Sequence, residues 1–272
     1  MSPPGFSLAC LTALSLPPPQ AIRLASRLGC GSIGVRLLPA APGGVAWPLA
    51  TDARLLADTV AAMSATGVAV FDLEIVRLDE RFAVEPLRPF LETGGKLGAK
   101  AILVGGDDAD RSRLVDNYAS LCEAAAPYGL TCDLEFMPWT AVPDLASAKE
   151  VVRLARCRNG GVLVDALHFA RSRSRLEDLD DLPREWLHYA QLCDAPGEIP
   201  PDHAGLIHTA RCERLLPGEG GIDLASIFRR LPADLPISLE IPNDARLTMI
   251  GAEAWSREVL AAGRAFFAGL GR

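Results

Sequence analysis

The segment Gly160-Gly-Val-Leu-Val-Asp-Ala-Leu-His-Phe169 is a short apolar run that ends at the carboxylate of Asp165 and continues to His168. A short apolar run preceded by glycines is typical of a buried β-strand. The predicted strand places one carboxylate and one imidazole at its C-terminal end.

Three other runs have the same form as this segment. Leu130–Glu135 and Leu235–Glu240 each end in a carboxylate, and His188–Asp194 carries an amide at Gln191. Four successive strands are therefore predicted to bring a side-chain oxygen to the same rim of the fold.

The chain, residues 1–272, alternates between predicted strands and helices and contains eight strand-then-helix units. The strands are mostly continuous apolar runs, as expected of strands that are covered on both faces. Eight units of roughly thirty residues each favour a single-domain α/β fold, the (β/α)₈ TIM barrel, over an open doubly wound sheet. The longest stretches predicted to be irregular are Pro39–Leu49, Ala170–Leu182 and Ala195–Gly221, and the last two follow strands six and seven and are candidates for a lid.

The composition excludes several classes of protein. A net charge of −7, with 34 acidic and 27 basic residues, provides no basic surface for nucleic acid or anionic lipid. Seven cysteines stand singly along the chain, which predicts reduced thiols and a cytoplasmic location. The N-terminal residues lack a basic region, and Pro17–Pro19 interrupt the apolar residues there, so neither secretion nor membrane insertion is indicated.

The four oxygen-bearing side chains, Glu135, Asp165, Gln191 and Glu240, predict a site for one divalent metal ion. Functional residues of TIM barrels lie at the C-terminal ends of the strands, and clustered carboxylates repel each other unless a cation joins them. Oxygen ligands favour Mg²⁺, Mn²⁺ or Co²⁺ over Zn²⁺. Taken singly, each acid has an alternative role as a helix cap or surface ion pair, and the amide as an ordinary hydrogen-bonding group.

The order of these residues along the chain resembles a known superfamily. Glu135 on strand five, Asp165-x-x-His168 after strand six, the polar Gln191 on strand seven and Glu240 on strand eight are similar to the xylose-isomerase-like TIM-barrel superfamily of sugar isomerases and epimerases. The resemblance covers nearly the whole chain. It implies that Glu135, Asp165, Gln191 and Glu240 ligate the metal and that His168 faces the substrate.

The strand-seven residue departs from the usual pattern of that superfamily, which is a histidine in a His-x-Lys-Asp sequence. This chain has Gln191-Leu-Cys-Asp194 instead. A glutamine ligand at this position resembles the bacterial 3-dehydroshikimate dehydratases, a lyase branch of the same superfamily.

Proton abstraction beside a carbonyl is the chemistry common to these branches, with the metal acting as a Lewis acid. Glu135 and Glu240 could act as ligands and bases on opposite faces of an epimerase substrate, whereas His168 or a nearby acid would deprotonate a dehydratase substrate. The leading prediction is an isomerase or epimerase of a sugar-like polyhydroxy carbonyl compound. The second is a dehydratase of a cyclic hydroxy-ketoacid, and the third is a non-catalytic metal- and ligand-binding barrel.

A DNA-repair nuclease of the endonuclease IV type is a further alternative on the same barrel. Such enzymes use a histidine-rich cluster of three zinc ions, and this chain has only four histidines, at positions that do not match such a cluster. The predicted partner is therefore a small molecule, and an assembly of identical subunits is compatible with the sequence.

Arginines near the predicted rim indicate an acidic or phosphorylated substrate, because a guanidinium pairs with carboxylate or phosphate. Arg211 is the preferred anion contact, whereas Arg173 and Arg214 are expected to be solvated or paired with acids such as Asp178 or Glu213. Trp139 is expected to line the pocket or to pack in the core. The residues predicted to contact substrate are Arg36, Glu74, Trp139, Arg171 and Arg211.

Overall fold

The computed structural model describes residues 5–41 and 43–271. Eight parallel strands close into a barrel in the order in which they follow along the chain, so the predicted single-domain TIM barrel is confirmed. The strands are β1 (Phe6–Leu8), β2 (Ser32–Arg36), β3 (Ala69–Leu78), β4 (Ala101–Gly106), β5 (Thr131–Glu135), β6 (Gly160–Asp165), β7 (Ala190–Leu192) and β8 (Ile237–Leu239).

Helices surround the barrel and connect successive strands. No helix in the described ranges is both long enough and apolar enough to span a bilayer. The helices are α1 (Pro18–Arg27), α2 (Ala53–Thr66), α3 (Arg88–Leu97), α4 (Arg111–Ala125), α5 (Leu145–Ala155), α6 (Ala166–Arg171), α7 (Glu177–Asp180), α8 (His203–Cys212), α9 (Leu224–Arg230) and α10 (Asp244–Gly269), the last interrupted by a non-helical Gly251.

Aspartate or asparagine side chains start many of these helices by accepting a backbone N–H of the first turn, which satisfies a donor that has no partner within the helix. Asp223 does this for α9, and Asp165 does it for α6. The end of β6 is thereby fixed at the residue where the metal site was predicted.

Alternate residues of each strand face opposite sides of the barrel wall. Val162 and Val164 of β6 pack in the large core between strands and helices, whereas Leu163 belongs to a small apolar cluster inside the barrel. Asp165 follows Leu163 by two residues and therefore faces the interior at the C-terminal end. This alternation explains why a continuous apolar run can still present a carboxylate at the rim.

Two stretches predicted to be irregular contain helices, so that part of the prediction is wrong. Helix α7 lies within 170–182, and α8 occupies ten residues of 195–221. Helix α8 forms because Asp202 accepts the N–H of Gly205 and because Leu206 and Ala210 are buried. The apolar positions are few, so the periodicity in the sequence is weak.

The turn between α8 and α9 is held by one buried acid. The Asp194 carboxylate accepts backbone N–H groups at 2.8–3.2 Å from four residues, Ala195, Gly218, Gly220 and Ile222. The backbone donors of this turn therefore converge on one buried carboxylate.

Candidate metal centre

Three of the predicted ligands meet at the C-terminal end of the barrel. One carboxylate oxygen from each of Glu135, Asp165 and Glu240 lies within 4.8 Å of the other two. Gln191 stands beside Asp165, because the two residues are paired in register on β7 and β6. All four side chains are buried, with relative exposures between 0% and 4%.

Asp165 is fixed from two directions. Its Oδ1 accepts the backbone N–H of His168 at 3.0 Å, which caps α6, and its Oδ2 accepts Nη1 of Arg214 at 2.6 Å. The cap requires the three-residue spacing of Asp165 and His168, so the sequence motif follows from the geometry of the first helical turn.

Arg214 is the cation at the centre of this cluster. Its Nη2 lies 2.7 Å from Oε2 of Glu240, its Nε donates to the carbonyl of Ala210 at 2.8 Å, and its side chain is only 2% exposed. The expectation that Arg214 is solvated or paired with a surface acid is therefore wrong. Its partner Asp165 is 49 residues away in sequence, so no local pattern could reveal the pairing.

The electrostatics of the three carboxyl groups differ. Burial raises the pKa of Glu135 well above its usual range, and the nearby Glu240 and Asp165 raise it further. Burial also raises the pKa of Glu240, to about 7, although Arg214 opposes the shift. Burial acts in the same direction on Asp165, but Arg214 and His168 outweigh it and lower the pKa of that carboxyl.

His168 lies directly beside Glu135. Its Nε2 is 3.7 Å from Oε1 of Glu135, and its ring contacts that of Trp139 edge-on, with centroids 5.1 Å apart. Burial lowers the pKa of His168 to about 4, so the imidazole is neutral at pH 7. A neutral imidazole can accept a proton, as a general base must.

Some buried polar atoms of the cluster have no hydrogen-bond partner among the described residues. These are Oε1 of Glu135 and both amide atoms of Gln191. Buried polar atoms are rarely left without a partner. The side-chain oxygens of Glu135 and Gln191, together with those of Asp165 and Glu240, form an all-oxygen set that suits a hard divalent cation. With all three acids ionised and Arg214 positive, two negative charges remain, which one divalent ion would neutralise. The residues present therefore fit a metal site.

The cavity above this cluster is rich in arginine. Arg36, Arg77, Arg211, Trp139 and Met137 are among its lining residues. Arg36 is paired with Glu74 at 2.6 Å, and Arg77 donates to Asp107. Arg214 lines the cavity as well, so three of its four arginines have acidic partners.

Arg211 differs from the other three arginines of the cavity. No hydrogen bond or ion pair joins its guanidinium to the residues that the structure describes. Burial lowers the pKa of Arg211, and the neighbouring cations Arg77 and Arg36 lower it further. The half-buried guanidinium is therefore available to an anion that enters the cavity.

The other residues predicted to contact substrate have different surroundings. Glu74 is fully buried and accepts the backbone N–H of Cys10 at 3.0 Å in addition to Arg36. Arg171 donates to the carbonyl of Pro196 and lines a separate cavity with Asp144. Trp139 lines the cavity of the metal cluster. Direct contact of these side chains with a substrate stays a prediction.

A sequence profile of the xylose isomerase-like TIM barrel matches residues 22–266, which is most of the chain. The chain belongs to this family. Its members include enzymes that isomerise, epimerise or dehydrate small molecules.

A curated relative is the 3-dehydroshikimate dehydratase of Pseudomonas aeruginosa (strain PAO1), which is 31% identical over 158 residues. The match covers 55% of this chain but only 24% of that protein, so the chain corresponds to about a quarter of its length.

Two solved structures show the same fold at lower identity. The IolI protein with a bound zinc atom is 19% identical, with a TM-score of 0.77 over 95% of this chain and 96% of that one. The D-allulose 3-epimerase of Methylomonas sp. in complex with D-allulose is 15% identical, with a TM-score of 0.69 over 96% of each chain.

Proposed function

We propose that this chain is a divalent-metal-dependent lyase that removes water from a small hydroxy-keto acid. The observation that carries the proposal is the buried Gln191 amide, which has no hydrogen-bond partner among the described residues and is paired in register with Asp165, one of the three clustered carboxylates. In the family resemblance, a glutamine at this position is found in the dehydratase branch, where the other branches have a histidine. The P. aeruginosa relative is also named a dehydratase.

Glu135, Asp165, Gln191 and Glu240 would hold the metal through one oxygen each. When bound, a divalent metal supplies positive charge beside the carbonyl oxygen of the substrate and lowers the energy of an enolate by several kcal/mol. Arg214 holds Asp165 and Glu240 in position through its two ion pairs.

His168 is the proposed general base. It is neutral at pH 7 and lines the cavity, where it takes a proton from the carbon next to the carbonyl. The electron pair of the broken C–H bond is first held in the enolate. It then forms the C=C bond between the α and β carbons, and the β-hydroxyl leaves with the electrons of its C–O bond. The protonated His168 returns its proton to that oxygen, so the substrate loses one water and no oxidant is required.

Arg211 indicates that the proposed substrate carries a negative charge. Its unpaired guanidinium lines the same cavity as His168 and Glu240, so a carboxylate of the substrate can accept two parallel hydrogen bonds from it. This arrangement favours an acidic substrate over a neutral sugar.

The test uses purified protein that is freed of metal with a chelator, reloaded with Mn²⁺ and incubated with 3-dehydroshikimate. We expect ultraviolet absorbance to rise as an aromatic acid forms, and the rise to require metal. His168→Gln should bind Mn²⁺ and lose roughly 10²–10⁴-fold in rate. His208→Gln is the matched control, because His208 lies at the surface and pairs with Glu213. Mn²⁺ binding without any absorbance change would contradict the dehydratase.

Epimerisation of a ketose is the second candidate, supported by the presence of both Glu135 and Glu240 in one site and by the sugar-binding epimerase of the same fold. Incubation with D-allulose in deuterated water distinguishes the two reactions. An epimerase exchanges a carbon-bound proton and yields a second sugar without a change in ultraviolet absorbance. A barrel that only binds ligand gives neither signal.

A further inference from the structure

A row of three polar side chains crosses the inside of the barrel at the level of Gln191. Ser238 of β8 is paired in register with Gln191 of β7, and Ser7 of β1 is paired in register with Ser238. Registered neighbours on parallel strands are about 5 Å apart, and their side chains point to the same face.

The row faces the barrel interior rather than the surrounding helices. Ile237 and Leu239, which flank Ser238, belong to the core between strands and helices. Ser238 therefore projects inward, as does Glu240, which directly follows the strand.

The polar atoms of this row have no protein partner among the described residues. Both amide atoms of Gln191 and the hydroxyls of Ser238 and Ser7 are without a hydrogen bond, and the three residues are 0%, 1% and 2% exposed. Asp72 and Tyr189 also have buried polar atoms without a partner. Buried polar groups normally bond to ordered water when no protein group reaches them.

The side-chain amide of a glutamine ligand carries an oxygen that accepts and a nitrogen that donates, so its orientation decides whether it can bind a metal. The oxygen must face a metal, and the nitrogen then needs an acceptor on the other side. Glu135 and Asp165 are acceptors on the metal side, so without an acceptor elsewhere the NH₂ group would turn toward them and the oxygen away.

We propose that Ser238 and Ser7 are positioning residues for Gln191. Their hydroxyls bind an ordered water that accepts a hydrogen bond from Nε2 of Gln191 and thereby directs Oε1 of Gln191 toward the metal. The inference rests on the proposed function, because it assumes that Gln191 is a metal ligand. Outer partners of this kind change metal affinity by about 10–100-fold when they are removed.

The experiment is a double-mutant cycle in which metal-free protein is titrated with Mn²⁺ alone by calorimetry. Ser238→Ala should weaken binding about tenfold, and Ser7→Ala should weaken it less, since Ser7 lies one strand further from Gln191. In a Gln191→Ala background, Ser238→Ala should change the affinity by no more than about twofold, because the group that it positions is gone.

Ser256→Ala is the matched control. Ser256 is also a buried serine whose hydroxyl bonds to none of the described residues, but it lies on α10. This substitution should leave Mn²⁺ affinity unchanged. The inference is overturned if Ser238→Ala binds Mn²⁺ like the wild type, if its effect persists in the Gln191→Ala background, or if Ser256→Ala weakens binding equally. Failure of the wild type to bind Mn²⁺ would overturn the proposed function as well, whereas the other outcomes leave it standing.

Discussion

Two buried acids on the same strand, Asp133 and Glu135 of β5, have opposite surroundings. Asp133 is fully satisfied: Oδ1 contacts Nδ1 of His188 at 2.6 Å, and Oδ2 accepts the hydroxyl of Thr131 at 2.6 Å. In Glu135, two residues later, Oε1 has no hydrogen-bond partner in the described part of the chain, and Nε2 of His168 lies 3.7 Å from it. The difference separates an acid that stabilises the barrel from one that is available for a ligand.

The physical basis is the cost of burial. An ionised carboxylate inside a protein is destabilising unless hydrogen bonds or opposite charges compensate it. Hydrogen bonds to His188 and Thr131 offset the cost of burying the Asp133 carboxylate. One oxygen of Glu135 has no such bond among the described residues, as expected where a bound cation would supply the missing interaction.

Glu240→Gln should reduce turnover most strongly. The change removes one negative charge from the ligand set and keeps the shape of the side chain, so we expect the rate to fall by roughly 10²–10⁴-fold with the fold intact. Steady-state kinetics and thermal unfolding measure the two properties. Retained activity would exclude strand β8 from the site.

Arg214→Met should be the most destabilising of the substitutions. It leaves Asp165 and Glu240 buried without their cation, and breaking a buried ion pair costs about 3–5 kcal/mol in free energy of unfolding. Urea denaturation measures the loss. Arg27→Met is the control, since Arg27 pairs with Glu253 at the surface and should change stability by about 1 kcal/mol or less.

Asp133→Asn and Glu135→Gln compare the two acids directly in metal-free protein. Asp133→Asn should lower the free energy of unfolding by about 1.5–3 kcal/mol, because a charge-assisted hydrogen bond to His188 is lost. Glu135→Gln should not lower it, since the substitution removes repulsion by Asp165 and Glu240. Equal destabilisation by both changes would remove the distinction between the two acids.

Arg211→Met should affect substrate binding rather than stability. Loss of one charge-assisted contact to a carboxylate corresponds to roughly a 10–100-fold increase in KM, with a smaller change in kcat. Arg173→Met, which changes an exposed arginine outside the cavity, should leave both constants unchanged. An unaltered KM in Arg211→Met would remove the argument for an acidic substrate.

The pair of Asp133 and His188 should give a small pH dependence of stability. Burial opposes protonation of His188, but Asp133 outweighs it and raises the pKa of the imidazole above its ordinary value. The stabilisation is therefore complete below the unfolded pKa of about 6.5 and is lost as pH rises through the folded pKa. His188→Gln should flatten the unfolding free energy measured across this range.

The strand pattern of the sequence predicted the barrel because parallel strands buried on both faces must be almost entirely apolar. It also predicted that Glu135, Asp165 and Glu240 lie close together, because the C-terminal ends of the strands share one rim of the barrel. Arg214 could not be predicted, because its position depends on how 195–221 folds back over the rim. Helix α8 did have a start signal in the sequence, because Asp202 follows two prolines and caps the helix, but few apolar positions follow it.

In the proposed site, four oxygen-bearing side chains share one divalent ion. A crystal structure of the protein loaded with Mn²⁺, with an anomalous difference map, would locate that ion. We predict one peak within about 2.5 Å of oxygens from Glu135, Asp165, Gln191 and Glu240. A peak bound elsewhere, or no peak in protein saturated with Mn²⁺, would contradict the claim.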